Sequence, residues 1–214
     1  MRCIKGDSSE RFGEFMVRLA DPGLATRRRR EILDAALYCF RRRGFHQATM
    51  QEICAEAGIS PGALYRYFGS KADIIAAIAE DERREADLIL RGRGDAAGLV
   101  DSLCLLARAF FEKLACDGGA LLADVWAEAA RDPHLAKSLA GIDVDSLSRC
   151  AAAIEAAQAA GDVDADMDSK IASKVLFACI EGLGFRQMLN GATDAEQAVA
   201  QFRVMAERFL AKRS

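Results

Sequence analysis

The sequence predicts an all-α chain in which a small basic helical module precedes a larger acidic one. Ala, Leu, Glu and Arg dominate its 214 residues, while alternating Val/Ile/Thr strand patterns are nearly absent and prolines number only three. Apolar residues recur at steps of three and four through most of the chain. N-cap residues and glycines punctuate those runs.

From Thr26, the face Ile32, Leu33, Ala36, Leu37 and Phe40 predicts a first helix stopped at Gly44. Thr49-Met50-Gln51-Glu52 fits a capping box and starts a second, short helix that ends at Gly58. Ser60 caps a third, with Pro61 at its first position and Gly69 closing it. Ser70-Lys71-Ala72-Asp73 is a second capping box, from which Ile74, Ile75 and Ile78 carry a fourth helix. Two short helices joined by a Gly-containing turn form a helix-turn-helix, with the first helix packed across them.

Five longer helices follow. Leu99, Leu103, Leu106, Phe110 and Leu114 mark one, ended by Cys116-Asp117-Gly118-Gly119, and Leu121 to Ala130 a second, ended by Asp132-Pro133. His134 to Ala160 reads as helix interrupted near Gly141. Ser169 to Asn190 and Asp194 to Lys212 complete the chain. The expected organisation is a flexible tail over 1–24, a helix-turn-helix domain over 25–72 and a regulatory and dimerisation domain over 73–214.

About half of the side chains are apolar, which suits a globular core and argues against disorder. The net charge of −3 is unevenly spread: residues 25–72 carry nine basic and four acidic side chains, residues 73–214 sixteen and twenty-four. One end of the molecule is thus suited to a polyanion. No apolar run is long enough for a bilayer and no leader pattern opens the chain, so a cytoplasmic protein that does not engage a membrane is expected. Seven scattered cysteines without a C-x-x-C predict reduced core thiols, with no metal and no cofactor.

Gly58-Ile59-Ser60-Pro61-Gly62 matches the G-x-S-x-G elbow of serine hydrolases. The elbow needs a strand before the serine and a backbone N–H after it. Helix periodicity precedes Ser60, and Pro61 has no N–H. A hydrolase would require Ser60 exposed beside a histidine; no catalytic constellation is expected, and capping chemistry explains the five residues. Asp162, Asp164, Asp166 and Asp168 alternate as in a calcium loop, but Met167 and Ser173 stand where that loop needs Gly and Glu. They read as acids leading into a helix N-terminus.

In the third helix Leu64 and Phe68 share a core-facing side, so Tyr65 and Tyr67 cannot both join them and at least one faces solvent. Exposed hydroxyls beside Arg66 and Lys71 suit phosphate oxygens. Pro61, Gly62 and Ala63, following the Ser60 cap, are small enough to approach base edges in a major groove. Lys71 opposes the dipole of its own helix, which a phosphate at the same N-terminus would justify. Arg27 to Arg30, read as the start of the first helix, flank DNA, enter a minor groove or form a solvated basic turn.

Arg27 to about Ile78, above all Ala48-Thr49-Met50-Gln51-Glu52-Ile53, Ala57-Gly58-Ile59-Ser60, Leu64-Tyr65-Arg66-Tyr67-Phe68 and Ser70-Lys71, resembles the N-terminal domain of the tetracycline-repressor-like (TetR) family of transcription regulators. The resemblance implies a double-stranded DNA operator, with Thr49, Tyr67 and Lys71 on phosphates and Gln51, Gly62, Ala63 and Tyr65 nearest bases. The chain departs from the family pattern at Cys54, usually alanine, and at Pro61, often polar or basic.

Asp124-Val125-Trp126-Ala127-Glu128 and Ile180-Glu181-Gly182-Leu183 resemble a choline-responsive subgroup. Phe110, Trp126, Phe177 and Phe185 are either core or the lining of an effector pocket, and Glu181 either meets a cationic ligand there or sits on a solvated helix edge. Val199, Phe202, Met205, Ala206 and Phe209 give the last helix an apolar face; Ala178 and Gly182 give the preceding helix a small-residue strip. Together they predict a homodimeric four-helix bundle. The resulting expectation is a repressor released from a palindromic operator by a small-molecule effector, with a ligand-independent DNA-binding protein of the same fold as the alternative.

Overall fold

The computed structural model describes residues 22–90, 96–117, 119–190 and 194–212. Among them the chain is helical without strands: α1 Pro22–Arg43, α2 Met50–Glu56, α3 Pro61–Tyr65, α4 Lys71–Leu90, α5 Ala96–Asp117, α6 Ala120–Ala129, α7 Pro133–Ala159, α8 Ser169–Asn190 and α9 Ala195–Leu210. None is long and apolar enough to cross a membrane. Of the tail expected over 1–24, residues 1–21 lie outside the described residues, and α1 begins four residues before Thr26. Arg27 to Arg30 therefore sit inside α1, not at its start.

Two further boundaries differ from expectation. α3 is a single turn and a half, and Phe68 packs into the core from the turn that follows it rather than from the helix itself. α7 runs through Gly141 without a break. A mid-helix glycine costs only about 1 kcal/mol; Leu135, fully buried, and Leu139 anchor the helix on one side of it, and Cys150, Ala151 and Ile154 on the other.

Two hydrophobic cores organise the fold. The first joins Ile32, Ala36 and Phe40 of α1, Ile53 of α2, Leu64 of α3 and Ile74, Ile75 and Ile78 of α4 to Leu121 and Val125 of α6 and Leu135 of α7. It crosses the boundary expected at residue 72. The helix-turn-helix is thus built on the same core as α6, a helix nearly fifty residues further along the chain. The second core lies among α5, α7, α8 and α9, around Leu103, Phe111, Ile154, Leu176 and Phe202. Gly184 of α8 lets that helix close on α5: a Cβ there would lie 2.6 Å from Leu114 and 2.7 Å from Phe110. Within the chain nothing lies within 4 Å of where a Cβ on Gly182 would stand.

Cys39, Cys54, Cys104 and Cys150 are free and buried, as expected of core thiols, and Cys179 is free and half-buried. Burial pushes the Cys150 thiol up to about 12. Cys3 and the side chain of Cys116 lie outside the described residues. In the acidic loop Asp168 caps α8, accepting from the N–H groups of Lys170 (2.9 Å) and Ile171 (3.0 Å), and Asp164 accepts from Asp166 N–H (3.0 Å).

The apolar face of α9 requires a correction. Val199, Phe202 and Ala206 are buried within their own chain, against α5 and its neighbours, and Met205 and Phe209 are half-buried against the same core. These residues are occupied before any partner arrives. We expect Phe202→Ala to destabilise the protein by about 3–5 kcal/mol in urea unfolding, the cost of truncating a fully buried ring; a loss under 1 kcal/mol would place Phe202 outside the core.

Candidate functional site

The helix-turn-helix is assembled by reciprocal capping. Thr49 Oγ accepts from Glu52 N–H (3.2 Å), while Thr49 N–H donates to the Glu52 carboxylate (3.0 Å). That backbone donor is the chief reason the Glu52 carboxyl lies below the usual range. Arg43, in the last turn of α1, adds an ion pair to Glu52 at 3.0 Å. Gly58 takes φ +62, a left-handed conformation costly for any residue with a Cβ, which lets Ile59 N–H return to the carbonyl of Cys54 (3.0 Å) and close α2. Ser60 Oγ then accepts from Ala63 N–H at 3.3 Å and opens α3.

The Ser60 hydroxyl is thus a helix cap. The two histidines are engaged elsewhere, His134 Nε2 at 3.1 Å from Asp73 and His46 Nδ1 at 3.5 Å from Glu128. GISPG is the turn between α2 and α3. No group of three His, Cys, Asp or Glu side chains suited to a metal occurs among the described residues.

Thr49, Gln51, Ser60, Pro61, Gly62, Tyr65, Arg66 and Tyr67 are all exposed, and Ala63 is half-buried. Both tyrosines face solvent, Tyr65 at 55% and Tyr67 at 36% exposure, while Leu64 is fully buried beneath them. A Cβ on Gly62 would meet nothing within 4 Å. The start of α3 therefore offers a small, unobstructed surface flanked by hydroxyls and a guanidinium.

Lys71 has a partner inside the protein. Its Nζ donates to the carbonyls of Phe45 (2.6 Å) and His46 (2.9 Å) and lies 4.8 Å from the centre of the Phe45 ring. The cation that opposes the α4 dipole thus neutralises the carbonyls of the α1–α2 corner. Burial lowers its pKa, and the charge of Glu128 pulls the other way. Along α1, Arg28 pairs with Glu31 (2.7 Å), Arg30 with Asp34 (3.2 Å), and Arg29 with Asp81 (3.5 Å) while lying over the Phe68 ring.

The same corner is gripped from α6. Asp124 accepts from Phe45 N–H at 3.0 Å, and its Oδ2 lies 3.1 Å from where a Cβ on Gly44 would stand. Gly44, at φ +80, is required on both counts. On its other side α6 walls a cavity of about 780 Å³ between α4, α5, α7 and α8, lined by Leu121, Leu122, Val125, Trp126 and Ala129 of α6 among others. Phe110, Trp126, Phe177 and Glu181, singled out from sequence, all line it. Phe185, also expected in the pocket wall, is not part of that lining; its ring packs against Trp126 at 4.8 Å, tilted by 45°. Burial first, and the charge of Asp143 second, raise the Glu181 carboxyl above its usual range.

Sequence reasoning missed Asp124 and Glu128 as links to the corner, and Asp143 as a neighbour of Glu181 across two helices. Spacing does not reveal contacts that span 79 residues. Two residues quoted for the choline-responsive resemblance, Asp124 and Glu128, nevertheless prove to be the corner contacts.

Residues 32–78 match the family model described as bacterial regulatory proteins, tetR family, and residues 105–211 the one described as BetI-type transcriptional repressor, C-terminal. The chain is 30% identical over 161 residues to the HTH-type transcriptional regulator UidR of Escherichia coli K12, covering 72% of this chain and 79% of that one. Among solved structures it is similar to Salmonella enterica GusR, with a TM-score of 0.73 at 30% identity over 90% of this chain and 98% of that one. A transcriptional regulator from Saccharomonospora viridis in complex with choline matches with a TM-score of 0.70 at 25% identity, covering 88% and 100%.

The corner makes a direct prediction. Asp124→Ala leaves the buried Phe45 N–H without an acceptor and should cost about 1–3 kcal/mol in urea unfolding, whereas Asp124→Asn keeps an oxygen there and should cost much less. Equal stability of the alanine variant and the wild type would show that this bond contributes nothing.

Proposed function

Because the chain belongs to the tetR family of bacterial regulatory proteins, helix-turn-helix transcription regulators, we propose that it is a homodimeric repressor released from a palindromic operator by a small-molecule effector. The observation that carries the reading is the position of α6: one face walls the cavity, the other holds the corner from which the helix-turn-helix hangs. The choline-bound neighbour supports a ligand in a fold of this kind. In this reading the repressor works in the cytoplasm, where its operator is.

In this reading α3 enters the major groove with Gly62, Ala63 and Tyr65 nearest the base edges and Gln51 beside them. Thr49, Tyr67, Arg66 and the remaining N–H of Lys71 reach phosphates. Ser60 and Pro61 set the helix start. The partner copy is met through the outward faces of α8 and α9. Ile171, Val175, Ala178, Gly182 and Leu189 form an exposed stripe on α8, Leu189 at 78% exposure, and Val204 is exposed on α9. This revises the interface expected from sequence: Ala178 and Gly182 remain, while α9 contributes Val204 in place of its buried face. A ligand in the cavity displaces α6 or its neighbours, and the two recognition helices then no longer match successive major grooves. A 100-fold release requires about 2.7 kcal/mol of coupling.

Tyr67→Phe should weaken DNA binding about equally across sequences, and Lys71→Ala should also lower the slope of log affinity against log salt by about one. Gly62→Ser should change which base pairs are preferred in a selection from random duplexes. Unchanged affinity in the first two variants would remove α3 and its flank from the interface.

Assembly is tested separately. Val175→Asp, at an exposed position, should give a folded monomer by ultracentrifugation that loses operator binding by at least tenfold, since each half-site is then met alone. A dimer identical to wild type would move the interface elsewhere.

A further inference from the structure

The charges lining the cavity do not cancel, and what is left over defines a ligand class. Lys113 Nζ is taken by both oxygens of Glu82, at 2.6 and 2.7 Å. Arg83 donates to both oxygens of Glu80 (2.7 Å each) and to Asp87 (2.8 Å), whose other oxygen meets Arg149 at 2.8 Å. Every cation of the lining is thus consumed by acids from α4. Two carboxylates remain, Asp143 of α7 and Glu181 of α8, and among the described residues neither has a cation or a hydrogen-bond donor.

Their placement is informative. A second, smaller cavity of about 200 Å³ shares Ala86, Phe110, Ser146, Phe177 and Glu181 with the main one. Glu181 therefore sits where a large and a small apolar chamber meet, with the rings of Phe110 and Phe177 in the same shared wall. Asp143 is exposed at the rim. An anionic ligand would face two like charges there. A neutral apolar ligand would strip water from the half-buried Glu181 carboxyl and give nothing back. A cation removes both penalties, and the aromatic faces add to its binding.

We propose that the cavity takes a hydrophobic monocation, a protonated amine or quaternary ammonium carrying apolar arms, with its charge held by Glu181 between the two chambers and Asp143 at the mouth. The proposal rests on the effector-cavity reading above and names the ligand class for it. A combined volume of this size suits a ligand of drug-like dimensions. The apolar arms occupy the chamber walled by α6, so that the ligand touches the helix that holds the corner.

Three probes with the same ten-carbon tail and different heads test it on the full-length protein: decyltrimethylammonium, decanoate and decanol, each below its micellar range. Binding is followed by the fluorescence of Trp126, the sole tryptophan, and in parallel by calorimetry. Decyltrimethylammonium should bind at least about tenfold more tightly than either other probe. Glu181→Gln should remove about that factor for the cation while leaving decanol unchanged, and Asp143→Asn should remove a smaller part. Equal affinity for the three heads, or a preference for decanoate, overturns the monocation while leaving the cavity as an effector site. No binding of any probe by either readout overturns the effector-cavity reading itself. The ranking of probes on the wild type stands whether or not the Glu181 variant folds.

Discussion

The architecture depends on how one half-buried corner satisfies its backbone. Between α1 and α2 the chain turns through Gly44, Phe45 and His46, and the polar groups of this turn cannot all be met by helix. Phe45 N–H goes to Asp124 of α6; the carbonyls of Phe45 and His46 go to Lys71 at the start of α4. The Phe45 ring packs on Phe40 and under the Lys71 ammonium. Buried backbone groups are paired almost without exception because an orphan costs as much as a lost hydrogen bond. Satisfying this turn therefore obliges α4 and α6 to stand where they do. The helix-turn-helix inherits its orientation from them.

That constraint explains why the first hydrophobic core ignores the sequence boundary between modules. Leu121 and Val125 of α6 and Leu135 of α7 complete a core otherwise made of α1 to α4. His134 adds a hydrogen bond to Asp73, which is the main reason the Asp73 carboxyl titrates below its usual range, with Ser70 contributing as well. The second core, around Phe111, Leu176 and Phe202, is separate. The region between the two cores is the cavity. Wherever it is filled or emptied, the first wall to feel it belongs to the helix that also fixes the corner.

The parts of this arrangement legible in the sequence are the ones written in local chemistry. Thr49 with Glu52, Ser60 with Pro61, and Ser70 with Asp73 are caps, and a cap is decided within four residues. Leu64 separates from Tyr65 by helical geometry, and Phe68 joins Leu64 in the core although it stands in the turn after α3. The parts not legible depend on partners far along the chain. The amphipathic face of α9 is as well explained by α5 of the same chain as by a second copy, and periodicity does not distinguish them. Only the exposure of Val175, Leu189 and Val204, against the burial of Val199, Phe202 and Ala206, does so. Lys71 illustrates the same limit: its conflict with the helix dipole was visible, but two carbonyls 25 and 26 residues away resolve it. Glu181 could be read as pocket or surface until its cavity and Asp143 were in place.

Under the proposed function α6 carries a change in the cavity to the corner that holds the helix-turn-helix, and its shape and position both depend on its neighbours. It is ten residues long and starts at Gly119 without a side-chain cap bond, and helices of that length are marginal in isolation. Its structure is therefore held by neighbours on two sides, Leu121 and Val125 in the first core, Asp124 and Glu128 on the corner, and Leu122, Trp126 and Ala129 at the cavity. A shift forced at the last group cannot be absorbed by bending over so few turns, and a packed core does not deform continuously. It appears instead at Asp124, whose 3.0 Å bond from Phe45 N–H is lengthened and weakened once the helix moves by a fraction of an ångström.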